Sequence, residues 1–117
     1  MPFDSTPVNA PVREEIVILD KVKRIIRHPE LWCKGEYEDY EGRHCLIGAL
    51  RVADHGSITG ISWLNPKMYS VLDRLASFAP KTSGSLANRI IQFNDTASHV
   101  AVLSLIDEAK ISFEMET

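Results

Sequence analysis

Apolar residues recur at three- and four-residue spacing in several parts of the chain, which is the pattern of amphipathic helices. The first part covers residues 13–28, with acidic residues in its first turn and basic residues in its last, as the helix dipole favours. Its apolar stripe consists of Ile16, Leu19, Val22 and Ile26. Pro29 follows, and proline disfavours a helical conformation in the residue before it. The sequence therefore predicts a helix over 13–28.

The second predicted helix begins at Cys45, in a segment that is apolar almost all round as far as Leu50. Such a pattern indicates a largely buried helix, and Gly56 is placed to end it. Gly48 and Ala49 lie near its centre, where small side chains suit the close approach of another helix or a loop.

The third predicted helix covers about residues 66–79 and follows Asn65, because asparagine is favoured as an N-cap and proline in the first turn. Residues 86–93 also have helical spacing. The adjacent Ile90 and Ile91 would fit a short strand as well, so both alternatives stay open for this segment.

The last predicted helix follows a cap formed by Asp95 or Thr96. The chain is thus predicted to be all-α, a single-domain bundle of four to five helices with a long irregular loop at about 29–44. Residues 1–12 contain three prolines and are expected to form an extended N-terminal arm, which leaves 13–117 as the helical domain. A small two-stranded element inside the loop is compatible with the pattern.

Composition and charge narrow the class of protein. The apolar fraction of 44% and the charged fraction of 25% are those of an ordinary soluble domain. The net charge of −3 weighs against nucleic-acid binding, which requires a concentrated basic surface. No run of about 20 apolar residues is available to span a bilayer, and the first residues lack the features of a signal peptide. We therefore expect a cytoplasmic protein without a nucleic-acid or membrane partner.

Cys45 is the sharpest candidate for chemistry. A helix that begins near it would present unpaired N–H groups and a positive dipole end, both of which favour a thiolate. With His99 or His44 as base and Asn94 or Asp95 as the orienting group, it would suit a thiol hydrolase or transferase. The alternative is a small buried hydrophobic residue with an inert thiol, and the apolar residues that follow favour this alternative.

A metal site is the second candidate, with Cys33, His44, Cys45 and His99 as the available ligands. Structural zinc sites usually draw on paired ligands two to four residues apart, and Cys33 has no partner at that spacing. His44 and Cys45 are adjacent, which is awkward for a tetrahedral site. The sequence therefore predicts no metal and no other cofactor.

The stretch from Trp32 to Cys45 is acidic, and its carboxylates would suit a cation or a basic partner, although such a run is more often a solvated surface. Asp39 is typical of a turn, and the indole N–H of Trp32 needs a partner if the ring is buried. Asn94 and Asp95 either supply a turn and a cap, which capping preferences favour, or hydrogen-bond this stretch from across the domain. The candidate binding residues are Trp32, Asp39, Arg43, Asn94 and Asp95.

The segments WCKGEYEDYEGRHCLIGAL and IIQFND, followed by the helix VLSLIDEA, resemble a family of small uncharacterised bacterial and phage proteins. The similarity spans about residues 14–111. The matching positions are Trp32, Asp39, Gly42, Cys45, Gly48, Ala49, Asn94 and Asp95. The resemblance implies a shared fold in which the loop, the start of the Cys45 helix and the Asn94-Asp95 pair meet. It implies no reaction, because the family is a domain of unknown function.

The leading hypothesis is a small cytoplasmic binding or interaction module, without catalysis of its own, that takes a protein partner or a small polar ligand. The occurrence of the similar proteins in phages suits an accessory role at the surface of another protein. The alternative hypothesis is a cysteine-dependent hydrolase or transferase that uses Cys45 with a histidine base. The exposure of Cys45 separates the two hypotheses, and we expect this residue to be buried.

Overall fold

Residues 13–55 and 66–116, which the computed structural model describes, form five α-helices and no strand. The helices are α1 (Glu14–Ile25), α2 (Leu46–His55), α3 (Pro66–Phe78), α4 (Leu86–Thr96) and α5 (His99–Met115). The predicted all-α bundle is therefore confirmed. None of these described helices is long and apolar enough to cross a membrane. The predicted arm at 1–12, the Asn65 cap and the helix end at Gly56 lie outside the described residues.

The sequence predicted that the first helix ends at residue 28, but in the structure it ends at Ile25. Ile26 leaves the helical conformation (φ −116°, ψ 25°), and His28 is extended (φ −110°, ψ 146°) as expected for a residue before proline. The Ile26 side chain is nevertheless fully buried. The apolar pattern thus continues past the end of the helix, which explains why periodicity alone placed the boundary too late.

The boundary between α4 and α5 also differs from the prediction. Helix α4 continues through Asp95 and ends at Thr96, so the expected cap at either residue is wrong. Ser98 is the cap of α5, since its hydroxyl oxygen accepts the backbone N–H three residues on at 3.1 Å. Ser85 caps α4 in the same way at 3.2 Å, and 86–93 is helical, which excludes the strand alternative.

The core lies between α1 and α5, which pack against each other. Helix α2 packs on α1, and α3 packs on both α1 and α5. Helix α4 packs on α2 and α3. All five helices contribute side chains that solvent does not reach, and burying each such side chain stabilises the fold by about 1.5–3 kcal/mol. Among the largest are Leu19 and Val22 of α1, Leu46 and Leu50 of α2, Leu75 of α3, Ile90 of α4, and Leu105, Ile106 and Phe113 of α5.

The C-terminal end of α5 connects three helices through Glu116. Its carboxylate accepts from Arg13 Nη1 at 3.0 Å and from Arg74 Nη2 at 2.8 Å. Both guanidinium groups also lie over the Phe113 ring, 4.8 Å and 4.1 Å from its centroid. This cluster closes the end of the bundle where α1 begins.

The predicted irregular loop is present between α1 and α2, and its stretch from Trp32 to Cys45 is here called the Trp32–Cys45 loop. A 3-10 turn, Pro29–Leu31, leads into it. The backbone of Trp32 then pairs with His44 in parallel fashion, and Glu38 pairs with His44 in antiparallel fashion. These isolated bridges replace the two-stranded element that the sequence left open, and they fold the loop back on the start of α2.

Gly48 explains how the loop can lie so close to α2. A Cβ atom added at this position would overlap the carbonyl oxygen of Tyr37. That carbonyl also accepts the Cys45 N–H at 3.3 Å, so it cannot move away without breaking the contact that starts the helix. The small residue thus permits a close approach of the loop, as the sequence predicted.

Candidate functional site

Asn94 lies at the centre of the site and is fully buried in α4. Its Oδ1 accepts the indole N–H of Trp32 at 2.6 Å and the backbone N–H of Leu46 at 3.1 Å. Its Nδ2 donates to the carbonyl of Cys33 and to Oδ1 of Asp95, each at 3.1 Å. All four hydrogen-bonding capacities of the amide are therefore used within the protein, which gives Asn94 a structural role.

Asn94 and Cys45 together accept backbone N–H groups at the N-terminus of α2. The N–H of Leu46, the first residue of the helix, would otherwise be unpaired, and Asn94 accepts it. Cys45 occupies the N-cap position, and its Sγ accepts the N–H of Gly48 at 3.4 Å. A thiol thus fills the place that serine, threonine or aspartate usually takes.

Asp95 makes a second connection between α4 and the loop. Its Oδ1 accepts the backbone N–H of Gly35 at 3.0 Å as well as the Asn94 amide. The two adjacent residues therefore hold the loop at Trp32, Cys33 and Gly35. The sequence favoured a turn-and-cap role for this pair, whereas the structure shows the hydrogen bonds across the domain.

Asp39 shapes the far end of the loop together with Arg43. Its Oδ1 accepts the N–H groups of Glu41 (3.0 Å) and Arg43 (2.8 Å), and its Oδ2 accepts Arg43 Nε at 2.6 Å. Burial disfavours the ionised form, but these hydrogen bonds outweigh it, so the pKa of Asp39 lies below its ordinary value. Gly42 completes the turn with a φ of 82°, a conformation that other residues rarely adopt.

His99, the predicted base, is turned toward Trp32 and the end of α1. Its Nε2 lies 2.6 Å from the carbonyl oxygen of Ile26, so this nitrogen must carry a hydrogen. Its ring centroid is 5.4 Å from that of Trp32. His44, the other proposed base, contacts the Glu38 carboxylate at 3.1 Å. Each imidazole therefore has a partner that is not a thiol.

The Cys45 thiol lacks the features of an activated nucleophile. The residue is only 3% exposed, and its sulfur accepts the Gly48 N–H at 3.4 Å. Burial raises the pKa of Cys45. Hydrogen bonds from the backbone at Gly48 and Ile47 lower it, but by less, so the pKa lies above its ordinary value. The geometry thus brings Cys45, Asn94 and Asp95 into one neighbourhood but places no described imidazole at hydrogen-bond distance from the sulfur.

Cys33 is a residue whose structural role the sequence did not reveal. Its thiol lies between two carbonyl oxygens, 3.4 Å from that of Glu36 and 3.3 Å from that of Arg43. Burial, followed by the nearby negative charge of Asp39, raises the pKa of Cys33 to about 11. The only signal in the sequence is that Cys33 follows Trp32, and one cysteine between a tryptophan and a lysine does not predict its burial.

An open cleft of about 480 Å³ lies between the loop and α4. We call it the acidic cleft. Its lining residues are Gly35, Glu36, Tyr37, Glu38, Cys45, Ile91 and Asp95. Three of them carry carboxylates, while Ile91 and Cys45 supply apolar surface. Glu38 and Asp95 have hydrogen-bond partners within the protein, but the Glu36 carboxylate forms no hydrogen bond or ion pair with another described residue.

The predicted site residues therefore separate into two groups. Cys45 and Asp95 line the acidic cleft, and the hydrogen bond between Trp32 and Asn94 holds the loop beside it. Asp39 and Arg43 hold each other at the far end of the loop and do not line the cleft. Within the described residues, no group of three His, Cys, Asp or Glu side chains is arranged to hold a metal ion.

Comparison with known protein families identifies the family of this chain. Residues 11–111 match the model of a family described as "Family of unknown function (DUF6197)". Because the match covers most of the 117 residues, this protein belongs to that family. Comparison with curated proteins gave no match, and neither did comparison with solved structures.

Proposed function

We propose that this protein is a small binding module that acts without catalysis of its own, in the cytoplasm, and that its ligand enters the acidic cleft. The single observation that carries the proposal is the Glu36 carboxylate, which stands in a concave site with no partner among the described residues. The cleft is lined by the Trp32–Cys45 loop on one side and by Ile91 and Asp95 of α4 on the other. Clefts between packed elements of a helical bundle are common ligand sites.

The chemistry of the lining favours a cationic ligand. Three carboxylates, on Glu36, Glu38 and Asp95, surround a floor that includes the side chain of Ile91. A lysine or arginine side chain combines an apolar stem with a charged end, so it can cover Ile91 while its head reaches the carboxylates. We therefore propose a basic segment of another protein as the partner, which agrees with an accessory role at a protein surface.

The wall of the cleft is held in place before any ligand arrives. Asp95 accepts the Gly35 N–H at 3.0 Å, and the guanidinium carbon of Arg51 lies 4.1 Å from the centre of the Tyr37 ring. The backbone of residues 35–38 is thereby fixed against both α4 and α2. A preformed site loses less conformational freedom on binding, which favours affinity.

No contact of Cys45 favours the hydrolase alternative, and its test is simple. A thiol reagent added briefly to native protein at pH 6 should leave both cysteines unmodified, because both have raised pKa values and are protonated at that pH. Full modification after denaturation is the control. Rapid labelling of native Cys45 that disappears in a His99→Ala variant would support the enzyme instead.

The binding proposal is tested by titrating Nα-acetyl-lysine amide into labelled protein and following the backbone amide signals by NMR. We expect the signals of residues 35–38 and of Asp95 to shift, with a dissociation constant on the order of millimolar for so small a probe. Nα-acetyl-norleucine amide, which has the same stem without the charge, should produce much smaller shifts.

Two variants sharpen this titration. Glu36→Gln removes the carboxylate that lacks a described partner and should weaken the response to the lysine probe several-fold. Glu108→Gln changes another exposed glutamate, on α5 outside the cleft, and should leave the response to the lysine probe unchanged. Equal shifts with the lysine and norleucine probes, or an unaltered response in Glu36→Gln, would overturn the proposal.

A further inference from the structure

Two buried cysteines occupy neighbouring positions where the Trp32–Cys45 loop folds back on itself. His44 N–H donates to the carbonyl of Leu31 at 3.0 Å, and Cys33 N–H donates to the carbonyl of His44 at 3.0 Å. These two bonds form an isolated parallel bridge between Trp32 and His44. One residue further along each segment come Cys33 and Cys45, which are therefore in register.

This register is compatible with a covalent bond between the two sulfurs. Neighbouring strands lie about 4.7–4.9 Å apart, and a disulfide requires Cα atoms about 4.4–6.8 Å apart. Successive side chains of an extended segment alternate between faces, and from this rule we infer that Cys33 and Cys45 share the face opposite to that of Trp32 and His44. The two thiols also influence each other, because Cys45 adds to the effects of burial and of Asp39 in raising the pKa of Cys33.

We propose that Cys33 and Cys45 form a disulfide site, which a small-molecule disulfide such as oxidised glutathione closes and an added dithiol reopens. The Cys33 thiolate attacks one sulfur of the oxidant, and one glutathione leaves as its thiolate. The Cys45 thiolate then attacks the Cys33 sulfur and releases the second glutathione. Two protons leave the protein thiols, two electrons pass to the oxidant, and the oxidant departs as two molecules of reduced glutathione.

The bond would act on the wall of the acidic cleft. Residues 35–38 lie between the two cysteines, so closure turns the loop into a covalent ring that carries this wall. Closure also replaces the Cys45 thiol, which accepts the Gly48 N–H, with a disulfide sulfur. The oxidised form therefore keeps the loop closed even when hydrogen bonds from Asn94 are lost.

Oxidised glutathione added to the full-length native protein tests this inference directly. We expect a product about 2 Da lighter than the reduced monomer, as the loss of two hydrogens requires. Trypsin separates the two cysteines, because it cleaves after Lys34 and after Arg43. Without reduction, the digest should contain peptide 28–34 linked to peptide 44–51, and this species should disappear when dithiothreitol is added.

The pH and two variants provide further readouts. The reaction should accelerate about tenfold per pH unit between pH 7 and 9, since the thiolate is the nucleophile and both thiols have raised pKa values. Cys33→Ser and Cys45→Ser should each give only the glutathione adduct. The linked protein should melt about 5–15 °C higher than the reduced protein, because the bond restricts the unfolded chain.

Three results would overturn the inference. The first is a stable adduct with one glutathione on each cysteine, which would show that the sulfurs do not meet. The second is a product linked between two molecules, whose yield rises with protein concentration. The third is a linked monomer that melts at or below the temperature of the reduced protein, since the bond would then have to distort the loop to form.

Discussion

The indole N–H of Trp32 donates to Oδ1 of Asn94 across 2.6 Å, and the same oxygen accepts the first backbone N–H of α2, that of Leu46, at 3.1 Å. One buried amide therefore joins an aromatic side chain of the loop to the start of a core helix. The two residues are separated by 62 positions in the chain. This contact determines where the Trp32–Cys45 loop lies, and with it the wall of the acidic cleft.

Replacing Asn94 with alanine should destabilise the protein strongly. The change leaves the Trp32 N–H, the Leu46 N–H and the Cys33 carbonyl without their partner, and each unsatisfied buried group costs about 1–3 kcal/mol. We expect the free energy of unfolding in urea to fall by about 3–5 kcal/mol. Asn88→Ala, an exposed asparagine on the same helix, is the matched control and should change it by less than about 0.5 kcal/mol. Similar losses in both variants would contradict the role given to Asn94.

Replacing Gly48 with alanine sets two effects against each other. Alanine is favoured over glycine inside a helix by about 1 kcal/mol. Its Cβ would overlap the Tyr37 carbonyl oxygen, and overpacking of this kind costs about 1–3 kcal/mol. Because the overlapping atom belongs to the backbone and also accepts the Cys45 N–H, we expect the steric effect to win. Chemical denaturation should show a lower free energy of unfolding, and a gain of about 1 kcal/mol would mean that the loop is free to move off α2.

The raised pKa of Cys33 predicts a loss of stability in alkali. The folded pKa is about 11 against an ordinary value of 9.0, so the folded state holds the thiol proton more tightly than the unfolded state. The stability contributed by the neutral thiol is fully present below pH 9 and is lost as the pH rises through about 11. Between these values the free energy of unfolding should fall by roughly 2 kcal/mol more than in Cys33→Ala. Parallel pH profiles for the two proteins would contradict the assignment.

The sequence predicted the helices well because each has an apolar stripe that does not depend on its partners. The ends of helices were harder to predict, since several residues there satisfy the same preferences. Asp95, Thr96 and Ser98 are all good N-caps, and only the packing of α4 determines that the helix continues through Thr96 and that Ser98 caps α5. Similarly, Ile26 remains in the core after α1 has ended, which periodicity cannot show.

The sequence predicted which segments meet at the site, but it did not predict the hydrogen bonds that join them. The resemblance to a family of unknown function implied that the loop, the Cys45 helix and the Asn94-Asp95 pair meet, and the structure confirms it. The fourfold use of the Asn94 amide depends on three separate parts of the chain, so no local pattern could reveal it. The same holds for Cys33, whose burial results from the way the loop folds over it.

The hydrogen exchange of the Trp32 indole N–H tests the central claim most directly. Its NMR signal can be identified by its loss in Trp32→Phe, and exchange with deuterated water reports how often the bond to Asn94 opens. We predict exchange at least about a thousandfold slower than that of a free indole, and a large loss of this protection in Asn94→Ala. Exchange of the wild-type signal at the rate of a free indole would show that the loop is not held by Asn94 and would contradict the account.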